Sequence, residues 1–453
     1  MAEATAAPPD AAALIRSRRF AVLLLLAAAV GIVASLAAWA FLELVHQIQV
    51  GVFEGLPKDL GYDAAPTWWP LPVLGLAGLV IAFAIARLPG NGGHVPAHGL
   101  NAGPTEPREL PGVLLAALAT ISLGLVLGPE APLIALGGGL GLLGVRMLRS
   151  DAPPELGQIV GAAGTFAAMS LIFGSPVIAA VILIEAAGLG GPKLPLVLLP
   201  GLLAAGIGSL VSIGMGSFTG LSTSAYALGA LKLPPFARPD AAQFGWSIAL
   251  ATAVAVVAFV IFRLARQVER VATPRLFLLL PAAGLVVAGL AIAFSQLTAE
   301  AAHEVLFSGQ DDLQSMISTA GTWPVGTVAL LIALKGIAWA ISLGSFRGGP
   351  TFPAMFLGAA AGVMASGLPG YEITPAVAVG MGAAVASVLK LPLSAVLLAV
   401  VLTAQAGLGS SPLIIVGVVT AYVITAVLSA PRNAPAPAAA DTRPPAPAPL
   451  IRA

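Results

Sequence analysis

Two segments of the same Gly-Pro-x-x-Pro form, Gly128 to Pro132 and Gly349 to Pro353, interrupt apolar stretches in opposite halves of the sequence. Proline fits the first turn of a helix and glycine frees the backbone before it, so each segment predicts a helix that begins inside the apolar region. Only the first segment carries a charge, and Glu130 has no basic residue closer in sequence than Arg108 and Arg146. A carboxylate among apolar residues is costly unless it faces a cavity or a binding site. Glu130 is therefore the first candidate for a functional residue.

The chemistry that these segments indicate is the binding of an anion. The unpaired N–H groups at the start of a helix form a positive end, which attracts an anion without the tight grip of a bare cation. The segment Gly349 to Pro353 offers a second positive end, and Gly90 to Gly93 offers a third, with the Asn91 amide as an additional donor. We predict an anion site near the centre of a membrane, and Glu130, itself an anion, can occupy that site.

The composition defines the class of protein. The chain has 453 residues, of which 58% are hydrophobic and 9% charged, and its mean hydropathy is +0.98. Its apolar runs continue over roughly 20 residues, the length that a helix needs to cross about 30 Å of hydrocarbon, whereas the strands of a β-barrel would alternate. We predict an all-α polytopic membrane protein. The absence of cysteine excludes disulfides and a thiol nucleophile, and we expect no cofactor, no metal ion and no nucleic-acid partner.

The distribution of basic residues predicts the orientation of the chain in the bilayer. Arginines directly precede the first apolar run, residues 20–44, which places the N-terminus in the cytoplasm. Further arginines within residues 146–149 and 263–275 are expected on the same side, and the acidic loop 300–312 is expected outside. Residues 431–453 are rich in alanine and proline, which predicts a disordered cytoplasmic tail.

The sequence also repeats itself. When Pro176 is laid on Pro392, Gly164 falls on Gly380, and the Gly-Pro-x-x-Pro segments precede both blocks by nearly the same distance. Small residues at matched places let helices approach closely, and two repeats of opposite orientation would bring broken helices together at the midplane. We predict a cytoplasmic N-terminus (residues 1–19), a first membrane repeat (20–230), an inverted second repeat (240–430) and the tail (431–453).

These motifs resemble those of the CLC chloride channels and chloride/proton antiporters. The segment Gly128 to Pro132 is similar to the G-x-E-x-P motif of the family, Gly349 to Pro353 to its second anion-binding loop, and Phe173 to Glu185 to the block that leads to its inner glutamates. The resemblance implies a bacterial plasma-membrane protein, a CLC-like inverted repeat with broken and tilted helices, and a homodimer with an anion pathway in each subunit gated by Glu130. The anion-binding residues that it implies are Asn91, Gly92, Gly93, Gly128, Pro129, Ala131, Pro350, Thr351 and Phe352.

The sequence departs from the family pattern at several of these places. Asn91 stands in the loop where the family has a serine, and Thr351 holds the usual aromatic place, with Phe352 after it. Ala186 replaces the glutamate that antiporters use for internal proton transfer, and it follows Glu185. The C-terminal helix that supplies a tyrosine to the inner anion site is not evident in the sequence. These departures indicate a divergent bacterial branch whose selectivity and coupling cannot be carried over.

The function that the sequence predicts is the transport of monovalent inorganic anions, with chloride as the first candidate and fluoride and nitrate left open. We expect weakly coupled conduction, and the alternative is a proton-coupled antiporter that exports chloride or fluoride, with Glu185 as the candidate for a proton pathway. A cation transporter is disfavoured because a lone carboxylate beside helix N-termini suits an anion. An intramembrane enzyme is disfavoured because the histidines lie outside the long apolar runs.

Each candidate residue also has a structural interpretation. Glu130 could pair with a basic residue such as Arg347, and Asn91 could only stabilise a turn, as asparagine beside glycine often does. Glu185 could lie at a helix end or a subunit contact instead of carrying protons. Lys335 and Arg347 border the second segment, and the simplest expectation is that both snorkel to the membrane interface.

Overall fold

A computed structural model describes residues 15–101, 103, 105–149, 151–188, 194–221 and 228–430. The tail 431–453 and most of the N-terminal segment 1–19 lie outside the described residues. Within the described ranges the chain forms helices and no strand. The helices of the first half are α1 (Arg18–Val50), α2 (Pro70–Arg87), α3 (Leu110–Ser122), α4 (Glu130–Leu148), α5 (Pro154–Ile172), α6 (Pro176–Ala186) and α7 (Leu194–Thr219), and a π turn (Gly51–Gly55) and a short helical segment (Leu56–Asp59) continue α1.

The second half of the chain is helical as well. They are α8 (Ala241–Ala272), α9 (Leu276–Thr298), α10 (Leu313–Ser318), α11 (Val325–Ser345), α12 (Thr351–Ala365), α13 (Ile373–Leu389), α14 (Pro392–Leu402) and α15 (Ser411–Ser429). Among the described residues, eight helical segments are long and apolar enough to cross a membrane. This confirms the prediction of an all-α polytopic membrane protein.

Several apolar helices are too short to cross a bilayer. The helix α12 has 15 residues, and α6 and α14 have 11 residues each. At 1.5 Å per residue, 15 residues reach only about 22 Å, against about 30 Å of hydrocarbon. Helices of this kind begin or end inside the membrane, so the prediction of broken helices is confirmed.

The two halves use the same close packing. Gly137 of α4 lies against the backbone of Gly164 of α5, and Gly358 of α12 lies against the backbone of Gly380 of α13. A Cβ atom at any of these glycines would overlap the facing backbone, so the helices can approach this closely only because the side chains are absent. Gly164 and Gly380, which were matched in the sequence, therefore have the same packing role in the two halves. The limits 20–230 and 240–430 stay a prediction.

The burial of the helices distinguishes a centre from an outer face. Every residue of α13 from Thr374 to Leu389 is buried, and nearly all of α12 is buried beside it. In contrast, α1, α7 and α15 expose apolar side chains such as Leu25, Leu210 and Val427, which are 72%, 69% and 69% exposed. Such faces are stable only against lipid or another apolar surface. The start of α12 is thus held in the middle of the protein.

Candidate functional site

The two Gly-Pro-x-x-Pro segments meet each other in the structure. The N–H of Gly128 donates to the carbonyl of Gly349 at 2.8 Å, and the N–H of Gly349 donates to the carbonyl of Gly128 at 2.6 Å. Each segment leads into a helix: α4 begins shortly after Gly128, and α12 begins shortly after Gly349. The bridge therefore joins the N-termini of two helices that belong to opposite halves of the chain, and it brings their positive ends together.

Glu130 lies at this junction and is fully buried. It is the first residue of α4, but its carboxylate reaches across to α12, where Oε1 accepts hydrogen bonds from the N–H groups of Thr351 at 2.8 Å and Phe352 at 3.0 Å. Those are the first two residues of α12, whose N–H groups have no partner within the helix. The carboxylate thus occupies the place at the α12 N-terminus where a free anion would bind.

The surroundings of the Glu130 carboxylate hold it in this position without an ion pair. No basic side chain of the described residues lies within 4.0 Å of it, and Oε2 has no hydrogen-bond partner among the described residues. A Cβ atom at Gly128 or at Gly349 would overlap the carboxylate, so both positions require glycine while Glu130 lies there. Among the described residues, the groups that hold the carboxylate are therefore the N–H groups at the start of α12.

An aromatic pair borders the site. The ring of Phe352 stacks on that of Phe173 with a centroid distance of 5.8 Å and an angle of 16°, and a Cβ atom at Gly128 would come within 2.8 Å of the Phe352 ring. Phe173 follows the last residue of α5, so the pair joins the two halves again. Phe352 was among the predicted residues. Phe173 was not among them. It is the first residue of the sequence block that resembles the family, and this resemblance could have indicated it.

The first loop adopts a backbone that few residues tolerate. Gly90, Asn91, Gly92 and Gly93 have φ values of 80°, 50°, 71° and 95°, a left-handed run that glycine adopts without strain and asparagine tolerates. The Asn91 side chain is exposed. The backbone carbonyl of Asn91 accepts a hydrogen bond from the Nε of Arg347 at 3.4 Å. The predicted donor in this loop, the Asn91 amide, therefore lies on the surface, and its backbone faces inward.

A cavity of about 200 Å³ connects this loop to the start of α4. Gly92 and Gly93 line it on one side, and Ala131 with Pro132 line it on the other. Asn91, Pro129, Pro350 and Thr351 are not among its lining residues. Of the predicted anion-binding residues, Gly92, Gly93 and Ala131 therefore line this cavity, whereas Thr351 and Phe352 donate to the Glu130 carboxylate. Asn91 does neither.

Glu185 occupies a different place, at the contact between α6 and α14. Its carboxylate accepts hydrogen bonds from the N–H of Leu393 at 2.9 Å and from the N–H and hydroxyl of Ser394 at 2.7 and 2.6 Å. These groups belong to the first turn of α14, so Glu185 caps that helix. Its suggested part in a proton pathway stays a prediction.

The expectation that Lys335 and Arg347 snorkel to the interface is wrong. Lys335 is fully buried, its ammonium donates to the carbonyls of Glu304 and Leu306 at 2.7 Å each, and it lies 4.4 Å from the centroid of the Phe356 ring. Arg347 is only 9% exposed. Both cations stay inside because backbone carbonyls and an aromatic ring replace the water that they lose.

The loop that Lys335 holds is the acidic segment 300–312. Partial burial, and after it the charge of Asp312, raises the pKa of Glu304. A cavity of about 580 Å³ lies beside the loop and is lined by Asp311, Asp312 and residues of α1. The Glu304 carboxyl therefore takes up a proton at a higher pH than a fully exposed glutamate does.

Helices that break around a buried carboxylate, in two equivalent halves, define an anion-transport protein of the CLC type. The chain belongs to the voltage gated chloride channel family, whose sequence model matches residues 78–426. It is 30% identical over 363 residues to proteins named "Putative ion-transport protein YfeO" from Salmonella schwarzengrund (strain CVM19633) and Salmonella paratyphi A (strain ATCC 9150 / SARB42), and the match covers 77% of this chain and 81% of each relative. The predicted family is confirmed, and a family of ion channels is not a class of enzymes.

Two solved structures share the fold. A slow cyanobacterial Cl⁻/H⁺ antiporter superposes with a TM-score of 0.71 at 19% sequence identity, which covers 90% of this chain and 95% of that chain. A CLC-type fluoride/proton antiporter superposes with a TM-score of 0.65 at 18% identity, which covers 89% of this chain and 95% of that chain. The likeness extends over both halves, so the CLC-like inverted repeat that the sequence predicted is confirmed.

Proposed function

We propose that this protein moves monovalent inorganic anions, chloride first, across the bacterial plasma membrane along a pathway that Glu130 closes. The observation that carries the proposal is the Glu130 carboxylate on the N–H groups of Thr351 and Phe352. An anion can bind these N–H groups only after the carboxylate has left them. Protonation removes the charge that the helix end attracts, so it favours departure of the side chain and entry of an anion.

Proton-coupled exchange is the second candidate function. A titratable group and a permeant anion would compete for the same two N–H groups, and such competition links the binding of one to the binding of the other. The solved relatives are named as Cl⁻/H⁺ and fluoride/proton antiporters. Against tight coupling, Ala186 stands where antiporters have their inner glutamate, and the Glu185 carboxylate is engaged at the start of α14. We therefore propose weakly coupled anion conduction.

The coupling is measured in proteoliposomes that hold a chloride gradient. We expect the protein to dissipate the chloride gradient and an equal potassium gradient to persist, which separates an anion pathway from a cation pathway. Proton uptake driven by the chloride gradient is expected to be small and without a fixed ratio, because among the described residues Glu130 is the only carboxylate that is fully buried. A constant whole-number ratio of chloride to protons would instead establish the antiporter.

Asn91 is tested by its replacement with the serine that the family carries. The Asn91 side chain is exposed and outside the cavity lining, so we expect Asn91→Ser to leave the relative flux of fluoride, chloride and nitrate unchanged. We expect it to cost about 1 kcal/mol of stability, because serine tolerates the left-handed backbone at this position less well than asparagine does. The measurement is ion-selective electrode recording of efflux from vesicles. A shift in the flux ratios would show that the amide contacts the ion, as the sequence predicted.

We also propose that the protein is a homodimer with both termini in the cytoplasm. The exposed apolar side chains include Leu393 on α14 and Leu210 on α7, which are 62% and 69% exposed. Exposed apolar faces of this kind can pack against the same faces of a second subunit or contact lipid. Single-molecule photobleaching of the labelled protein in vesicles counts the subunits, and the accessibility of a C-terminal tag in spheroplasts reports its side.

A further inference from the structure

Arg347 is a buried cation that the proposed gating mechanism does not use. Its Nε donates to the carbonyl of Asn91 at 3.4 Å, and its Nη1 donates to the carbonyl of Phe346 at 3.1 Å. Among the described residues, no carboxylate lies within 4.0 Å of its guanidinium. An arginine does not lose its proton in a protein, so its charge must be balanced by something other than deprotonation.

Arg347 lines the cavity of about 200 Å³ between the first loop and α4. Gly92 and Gly93 form one wall beside Arg347, and Ala131 and Pro132 form the wall at the start of α4. Since a water molecule fills about 30 Å³, the cavity has room for a small anion together with several waters. Ala131, the residue after Glu130, belongs to the cavity lining, so an ion held there lies beside the start of α4.

The donors of Arg347 are only partly used. A guanidinium has five N–H groups in a fixed plane, and the carbonyls of Asn91 and Phe346 take one from Nε and one from Nη1. The edge formed by Nη1 and Nη2 keeps N–H groups without a partner among the described residues. This edge matches the two oxygens of a planar oxyanion, whereas a spherical halide can use it only as a charge and a single contact point.

Other titratable groups near the cavity reduce its positive charge without cancelling it. Glu109 lines the same cavity, and the carboxylate of Glu269 accepts a hydrogen bond from His98 at 3.0 Å. Glu109 is partly exposed, so water screens its charge more strongly than that of the buried Arg347. A partly compensated cation holds an anion weakly enough for release, which transport requires.

We propose that Arg347 forms an anion site in this cavity and sets the preference between planar oxyanions such as nitrate and spherical halides such as chloride. The proposal rests on the proposed transport of anions, and it assigns the choice among anions to Arg347 and not to the Asn91 amide, which the sequence analysis had considered as a donor to the anion. The guanidinium contacts the ion directly, and the hydrogen bonds to the carbonyls of Asn91 and Phe346 hold it in place.

Two variants separate a contact with the ion from a structural role. Arg347→Lys keeps the charge and one donor to the loop but removes the planar edge, and Arg347→Gln removes the charge. In proteoliposomes we expect Arg347→Lys to lower the ratio of nitrate to chloride flux at least threefold while chloride flux changes less than twofold. Arg347→Gln is expected to raise the chloride concentration for half-maximal flux about tenfold. The control Arg108→Gln, at an exposed arginine next to the cavity residue Glu109, should change neither quantity.

A binding measurement makes the outcome independent of transport. The melting temperature of the purified protein is measured in sodium nitrate and in sodium chloride at equal concentration, with sodium gluconate as the reference. We expect nitrate to raise the melting temperature more than chloride does in the wild type and in Arg108→Gln, and this difference to disappear in both Arg347 variants. That result supports the site even if vesicles show that the wild type moves no anion and the proposed function fails. Equal nitrate and chloride effects in the wild type, or a nitrate-to-chloride flux ratio unchanged in Arg347→Lys, would overturn the proposal.

Discussion

Glu130→Gln is expected to make anion flux nearly independent of pH, with a rate at neutral pH about tenfold or more above that of the wild type. The wild-type carboxylate binds the N–H groups of Thr351 and Phe352 as an anion. A hydrogen bond to a charged group contributes about 1.5–3 kcal/mol, and 1.4 kcal/mol corresponds to a factor of ten in an equilibrium. The neutral amide loses most of this attraction, as a protonated carboxyl does, so an anion displaces it more easily.

The measurement is chloride efflux from proteoliposomes between pH 4.5 and pH 7.5. Wild-type flux should rise as the pH falls, and Glu130→Ala should conduct at all pH values because it leaves both N–H groups of α12 open to an anion. The matched control is Glu43→Gln, which changes a partly exposed carboxylate on α1 that accepts a hydrogen bond from the Gln47 amide. If both Glu130 variants retain the pH dependence of the wild type, Glu130 is not the gate.

Gly349→Ala is expected to lower stability by about 1–3 kcal/mol, a typical cost of overpacking, and to abolish the pH dependence of flux. A Cβ atom at residue 349 would overlap the Glu130 carboxylate, so the side chain must leave its site in the variant. The same substitution in a Glu130→Ala background should cost much less, because the carboxylate atoms that overlap the new methyl group are gone and the Cβ atom of residue 130 lies 3.0 Å away.

Thermal unfolding in detergent and vesicle flux are measured for the wild type, both single variants and the double variant. The coupling between the two substitutions is expected to exceed 1 kcal/mol, which contacting residues can reach. Gly326→Ala is the control, because Gly326 lies on α11 and a Cβ atom there meets nothing within 4 Å. Additive costs in the double variant would show that the carboxylate of Glu130 does not occupy the space beside Gly349 in the membrane.

The class of protein and the position of its most important carboxylate could be predicted from the sequence, because both depend on local chemistry. Long apolar runs require a membrane, and a Gly-Pro start requires a helix that begins within such a run. Glu130 was identifiable because a carboxylate among apolar residues is too costly to be incidental. The repeated glycines, Gly164 and Gly380, were identifiable because close helix packing accepts little else.

The partners of these residues could not be predicted, because they come from distant parts of the chain. Glu130 and Thr351 are 221 positions apart, and nothing in either segment indicates that the carboxylate caps the other helix instead of its own. Lys335 illustrates the same limit, since composition predicts that a lysine reaches water. Only the tertiary structure supplies the carbonyls of Glu304 and Leu306 that allow it to remain buried.

The first loop separates most clearly what sequence and structure each determine. The glycines around Asn91 determine that the backbone turns there, and asparagine is among the few residues that tolerate such a turn. Which group of the loop faces the protein interior depends on the residues packed against the loop. Arg347 binds the backbone carbonyl of Asn91, while the side-chain amide of Asn91 lies on the surface. A side-chain type determines which chemistry is available, but the direction in which a group points is decided by packing between elements far apart in the sequence.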